Sequence, residues 1–516
     1  MQSAKQAVKF FQNLVSLFAC LVVLSACDQD LPVTQVEPAK PEILPTIDHS
    51  VLKRAIYTNK FHLDPHFVES SADAAPLRDL FVGLLAYNEK GIVQPALAKT
   101  WFTENNKDWL FILDENAKWS NGEPVTAEDI VLSWQRLANP KNASPLAAYL
   151  AYMHLHQAKD ILAGEKAVSE LGVKALNATT LQIRLEKPNL VFPKMLAHVA
   201  LLPSYRGEIP NPNMLISNGD YTLAAKTEKN LLLKAVKNSP NFTKVEYQRI
   251  SVLQSIKPFD VVENPLEGQQ HNIWEFPRLC NYYYEFNFAD PQLKHKEIRQ
   301  AIKAMILSAR IPHQYGIANF SVLPKSMLNT EKHQWNPVII ETLLTQAGIS
   351  SNNPLQLSLS YDEQGKHTEI AQQMIRTLGQ SDLIKVTPQA LGWTQLLALR
   401  EQKNYQLSRA GWCAEYADPL PFLLHFHSKS ADNKSNYHNP QVDEKLEKLQ
   451  DQNLTEEVRE QLIQSVVKHL DDDVAVLPMF QYYRRVALDP TILGIDLNND
   501  SEVIYSKHLY RLKPKD

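Results

Sequence analysis

Residues 409–419 read RAGWCAEYADP, which puts an arginine, a tryptophan, a cysteine and a glutamate into one short run. Such a run can be a reactive thiol site, a piece of core, or a surface that grips a ligand. A catalytic thiol needs a nearby base, and no cysteine-protease signature surrounds Cys413 or the other late cysteine, Cys280. The chain has four cysteines. In an exported protein the last two are most simply a disulfide, with a free thiol as the alternative.

Export is what the N-terminus indicates. Lys5 and Lys9 form a charged opening, an apolar run follows from Phe10 to Leu24, and Leu24-Ser25-Ala26-Cys27 closes it. The pattern is a signal peptide over 1–26. It is similar to a lipobox, in which Cys27 becomes the lipidated first residue. The run is short for a membrane span. Residues 27–50 carry Pro32, Pro38, Pro41 and Pro45 without apolar periodicity. They read as an extended tether, able to reach on the order of 70 Å at about 3.1 Å per residue. Asp28 after Cys27 resembles an inner-membrane retention signal, so a periplasmic, lipid-anchored location is expected.

The length of 516 residues calls for more than one lobe. With 53 basic and 57 acidic residues there is no positive excess for a nucleic-acid partner. Patterning is mixed α and β. Asp108–Trp119 reads as a strand followed by an Asn121-Gly122 turn, and Thr126 with Asp129 forms a capping signal ahead of Ile130, Trp134 and Leu137. Helices are expected over 297–307, over 367–378 with Gly379 as cap, and twice within 440–470. Strands are expected over 355–361 and 474–481. No repeat of 20–50 residues occurs. Phosphate loops, nucleophile elbows and zinc-protease motifs are missing from the sequence. His154 and His156 make two metal donors without a third, so no metal or cofactor is expected.

Six stretches fall in one order: LDPHFVESS (63–71), DLFVGLLAYNEKG (79–91), AKWSNGEPVTAEDIVLSWQRLANPKNASPLAAYL (117–150), SNGDYTL (217–223), LCNYYYEFN (279–287) and RAGWCAEYADP (409–419). Together they resemble the oligopeptide-binding proteins of bacterial ABC importers, family 5 of the extracellular solute-binding proteins, from about residue 50 to the end. The resemblance implies an α/β, two-lobed periplasmic binding protein fold of class II, large three-domain type, with a hinge and an interlobe ligand cleft. It places a discontinuous first lobe at 48–85, 206–280 and 481–516, an inserted small domain at 86–205, and a second lobe at 281–480. It implies a monomeric, non-enzymatic lipoprotein that hands short peptides to a membrane permease. A specialised receptor for cell-wall peptide, haem or a signalling peptide is the alternative, and a peptide hydrolase is a rival from another class.

The same resemblance assigns residues. The run from Arg409 to Glu415 would be a strand laid against the ligand, with Gly411 allowing close approach and Cys413 giving main-chain bonds. Trp412 and Tyr283 would wall the ligand, or else simply pack in the core. Glu415 stands where the family has aspartate, one methylene longer, to meet the ligand ammonium. Glu285 and Glu69 match other acidic cleft positions. His367, Arg400 and Arg409 match cations for the ligand carboxylate. Trp393 and Tyr149 match pocket-lining residues, and Ser71 a backbone contact. Cys280 and Cys413 match a disulfide that would contribute on the order of 4 kcal/mol by closing a long loop. The stretch 250–279 is shorter than the family's, leaving only FDVVENP (259–265), so an altered ligand range is expected.

Overall fold

The computed structural model describes residues 48–68, 71–236, 241–266, 272–328, 337–450 and 454–513. The signal segment, Cys27 and residues 28–47 lie outside the described residues, as does Glu69. Residues 48–50, counted with the tether from the sequence, are already tied to the folded body. Asp48 N–H donates to the Arg511 carbonyl, and His49 Nδ1 lies 2.7 Å from the Asn241 carbonyl.

Strand β1 (Val51–Ile56) is followed by helix α1 (Ser71–Leu80). A separate small sheet comes next, built from β2 (Ala98–Thr103), β3 (Asp108–Leu113), β4 (Val173–Asn177) and β5 (Thr180–Arg184) in the order β2-β3-β5-β4. Trp109, Phe111 and Leu113 alternate inward along β3, the period of a sheet with one buried face. The strand is shorter than its apolar pattern suggests. Asp114 takes the Asn116 N–H at 2.9 Å and turns the chain out of the sheet. Helix α2 (Ala127–Ala138) begins with the expected reciprocal cap between Thr126 and Asp129, and the Trp119 indole also donates to Asp129 at 3.2 Å.

A short helix α3 (Ala148–Tyr152) precedes the return to the main sheet. That sheet contains β1 together with β6 (Tyr221–Lys226), β7 (Asn230–Ala235), β8 (Lys244–Arg249), β9 (Val261–Glu263), β10 (Ile273–Phe286), β11 (Leu355–Asp362), β12 (Ile384–Leu391), β13 (Leu407–Cys413) and β14 (Val476–Leu488). Its order is β12-β11-β13-β10-β14-β9-β1-β8-β7-β6.

The two lobes share β10 and β14. From Ile273 to Pro277, β10 pairs with Ala487 to Tyr483 beside first-lobe strands. From Asn281 onward it pairs with Gln481 to Val476 beside second-lobe strands. Between these registers Arg278, Leu279 and Cys280 stand opposite Tyr482 alone. A bulge of this kind bends and twists a strand pair.

The second lobe packs helices on both faces of its sheet, which explains the aromatic run 282–284. Successive side chains point to opposite faces. Tyr282 and Tyr284 meet the layer of α4 (Lys296–Ser308) and α5 (His367–Leu378), with Ile302, Leu357 and Met374. After α6 (Trp393–Glu401) come α7 (Pro440–Lys448) and α8 (Glu456–Asp472), and Tyr283 packs into that layer beside Phe422, Val442 and Val466. The first lobe and the small sheet share one continuous core, running from Leu52 and Leu233 through Leu77 to Phe111 and Trp134. Among the described residues no helix is long and apolar enough to cross a membrane.

Candidate functional site

Strand β13 has one side bonded and one side open. It pairs with β10 along its whole length, from Leu407 opposite Phe286 to Cys413 opposite Cys280. Its other neighbour, β11, pairs only with Leu407 and Ser408. From Arg409 onward the outer edge carries no strand. Ala414 N–H donates to the Leu279 carbonyl on the β10 side. By the alternation of an antiparallel ladder, Arg409, Gly411 and Cys413 therefore turn their main-chain groups to the open side. Arg400 Nη1 already donates to the Arg409 carbonyl at 3.2 Å, leaving the edge of Gly411 and Cys413 free.

Cys280 and Cys413 are joined by a disulfide across the paired strands. The thiol is thereby removed from chemistry. Gly411 also meets a requirement of the strand behind it. A Cβ at this position would stand 2.7 Å from the Asn281 carbonyl oxygen, so the glycine is required by β10 behind it. Tyr283 is core: it is buried, and its hydroxyl lies 3.2 Å from His425 Nε2. Trp412 stacks on His425 at 4.7 Å and borders a cavity of about 320 Å³ shared with Tyr152, Tyr416 and Leu420. Its indole N–H is buried without an acceptor among the described residues.

The expected cations come together at the Arg409 end, but each is already engaged. Arg400 Nη2 donates to Glu285 Oε2 at 2.8 Å, and the Tyr405 hydroxyl donates to the same oxygen at 3.4 Å. Arg409 lies 3.6 Å from Asp362 Oδ1, donates to the Tyr482 hydroxyl at 3.2 Å, and packs over the rings of Tyr282 and Trp393. Trp393 itself is 41% exposed. His367 Nδ1 is 2.8 Å from Asp362 Oδ2, and its Nε2 is 3.3 Å from Arg409 Nη2. Burial, and then the Arg409 charge, hold its pKa below the usual histidine value, with Asp362 opposing. A neutral imidazole donating to Asp362 and accepting from Arg409 fits both distances. His367 thus positions Arg409 at neutral pH and is not itself a cation.

Glu415 lies beyond the other end of the strand. It is exposed and has no hydrogen bond or ion pair among the described residues. Desolvation, and then the nearby Glu502 charge, raise its pKa, while Arg278 pulls the other way. The ring of Tyr152 in α3 lies 6.4 Å from the ring of Tyr416, the residue after Glu415, so α3 borders this end. Tyr149 stacks on His198 at 3.9 Å and donates its hydroxyl to the Met195 carbonyl at 3.0 Å. Ser71 is the first residue of α1. Lys194 of the small-domain region donates to the Ala417 carbonyl at 3.2 Å, across to the second lobe. A cavity of about 770 Å³ opens beside it, lined from both lobes by Tyr87, Lys90, Lys325, Gln481 and Asp500 among others.

Asp362, Tyr405 and Tyr482 were not singled out by sequence reading. Asp362 precedes His367 by five residues, which was the available signal. The tyrosines are brought in only by the sheet. His156, half of the H-x-H pair, lies 3.0 Å from Glu186, and among the described residues no group of three donors could hold a metal ion.

The geometry can be set beside known proteins. The model of the bacterial extracellular solute-binding proteins, family 5 (middle region), matches residues 93–434. A putative binding protein of Haemophilus influenzae is 41% identical over 513 residues, covering 97% of this chain and 98% of the relative. The periplasmic oligopeptide-binding protein OppA of Salmonella typhimurium is 29% identical over 493 residues, covering 87% and 90%. Among solved structures, the murein tripeptide binding protein MppA in its unliganded open form superposes with a TM-score of 0.84 at 27% identity, over 91% of this chain and 99% of that one. The two-lobed α/β fold, the order of motifs and these matches agree: the chain belongs to family 5 of the bacterial extracellular solute-binding proteins.

Proposed function

We propose that this protein is the peptide receptor of an ABC importer, binding short peptides in the interlobe cleft and presenting them to a membrane permease. The open edge of β13 at Gly411 and Cys413 carries the reading, because a free strand edge satisfies the main-chain groups that all peptides share. Its two ends bear opposite chemistry. Glu415 offers an unpaired carboxylate to an ammonium, while Arg409, steadied by Asp362 and His367, offers a guanidinium to a carboxylate. Arg400 contributes once a ligand competes with Glu285. Glu415 is the sixth residue after Arg409, at most about 20 Å away at roughly 3.3 Å per residue. That span, less the reach of both side chains, suits peptides of about three to five residues.

The bulge at Arg278–Cys280 would be the hinge, with the lobes at the boundaries expected from the sequence. Trp393, Trp412 and Tyr149 would line the cleft, and Glu69 and Ser71 would face it from the first lobe. Binding without a covalent step fits a family of substrate-binding proteins. Lipidation at Cys27, inner-membrane attachment and a monomeric state complete the proposal.

The test is calorimetry with di- to pentapeptides, including a cell-wall tripeptide, alongside small-angle scattering. Micromolar or tighter binding, with a smaller radius of gyration on adding peptide, is expected. A protein that binds no member of the panel would refute the reading. A preference for the cell-wall peptide alone would move it to that narrower class.

A further inference from the structure

Three charged side chains from three parts of the fold meet at the Glu415 end. Arg278 lies in the bulge of β10, Glu415 follows β13 in the second lobe, and Glu502 belongs to the C-terminal segment of the first lobe. Cys280 pairs with Cys413, and Ala414 N–H bonds the Leu279 carbonyl. Ala414 and Leu279 are bonded, so their chain neighbours Glu415 and Arg278 come near one another at this end, and the Arg278 charge reaches Glu415. Arg278 nevertheless bonds the other carboxylate: its Nε donates to Glu502 Oε1 at 2.7 Å. Glu415 is left unpaired among the described residues.

The Glu502 backbone is set for this task. Its φ of +60° is in the left-handed region, which a residue with a Cβ enters only where its surroundings hold it. A tight turn holds it there. Asn499 accepts from the Ser501 N–H at 3.0 Å and donates to the Val503 carbonyl at 3.0 Å.

We propose that Glu502 is a positioning residue for the ligand's amino terminus: by holding Arg278, it keeps the Glu415 carboxylate free. Resting on the peptide reading above, this leaves the Glu415 carboxylate as the charge that one ammonium neutralises. If Glu502 lost its charge, Arg278 would turn to its cross-strand neighbour and occupy the place of the ligand. The upward pull of Glu502 on the Glu415 carboxyl is consistent with the two acids sharing one field. The other groups facing Glu415 are the hydroxyls of Tyr87, Tyr149 and Tyr152, which carry no charge at neutral pH.

The test uses tri-alanine and its N-acetyl derivative, titrated into the full protein and into Glu502→Gln, Glu415→Gln and the double variant Glu502→Gln with Arg278→Gln. We expect Glu502→Gln to weaken tri-alanine tenfold or more and the double variant to recover to within about threefold of the parent. N-acetyl-tri-alanine should bind weakly to all. Failure of the double variant to recover, or an unaltered Glu502→Gln, overturns the inference. An unaltered Glu415→Gln instead overturns the reading it rests on. A second measurement needs no ligand: the Glu415 carboxyl, followed by carbon NMR, should titrate at lower pH in Glu502→Gln than in the parent. No movement there overturns the inference whether or not tri-alanine binds.

Discussion

Gly411 carries a packing requirement beside the ligand role expected from the resemblance. Its position beside the open edge suggests that it admits a ligand. The structure shows the missing Cβ aimed at the Asn281 carbonyl of β10, 2.7 Å away. We therefore expect Gly411→Ala to act on stability first. Overpacking of this kind costs about 1–3 kcal/mol, so the denaturant midpoint should fall even without ligand. An unchanged midpoint with lost peptide binding would restore the ligand explanation. His367 carries a similar lesson. Its type suggests a cation, but burial and the neighbouring arginine keep it neutral, and it acts by orienting Arg409.

Among the elements, the pair β10 and β13 does most to form the site. The stretch 279–287 carries the family resemblance in the sequence, and the structure shows why it is aromatic: alternate residues fill two different helical layers. What patterning cannot reveal is that β11 leaves β13 after Ser408, since that depends on the path a distant strand takes. The Cys280–Cys413 bond locks the pair at the point where the edge meets the bulge. The two cysteines are 133 residues apart, a long loop to close in the unfolded chain. Replacing both by serine should lower stability by roughly 4 to 5 kcal/mol on chain-entropy grounds. It should also speed amide exchange at Ala410, Trp412 and Ala414, whose N–H groups bond β10. Exchange unchanged at those amides would show that hydrogen bonding to β10 alone fixes the strand. Gly379, at the end of α5, is less demanding than expected: its φ of −72° is right-handed, and no glycine is needed for that conformation.

For the molecule as a whole, burial of neutral histidines sets the response to acid. His66 of the first lobe, His198 near the small sheet and His425 of the second lobe are all pushed down to about 3, chiefly by desolvation. Unfolded, each imidazole takes up a proton below about 6.5. Folded, each stays neutral until about 3, so the unfolded state binds more protons between these values. Stability should therefore fall as pH is lowered from about 6.5 toward 3, by at most about 1.4 kcal/mol per pH unit for each site. Thermal melts across pH 7 to 4 check this. His425→Phe should flatten the profile, and a profile that keeps its slope would assign the acid response elsewhere.

The sequence by itself determined the class of the protein, the capped helix α2 and the two cysteines worth pairing. Those features are written in local periodicity, in turn and cap chemistry, and in long motifs that keep their order. Tertiary structure decided which charges are free. Arg400, Arg409 and His367 look alike as candidate cations along the chain. Folding gives Arg400 to Glu285, shares Asp362 between the other two, hands Arg278 to Glu502, and leaves Glu415 unpaired. The physical reason is that ion pairing depends on distance in space. Those partners lie between 5 and 224 residues apart in the chain.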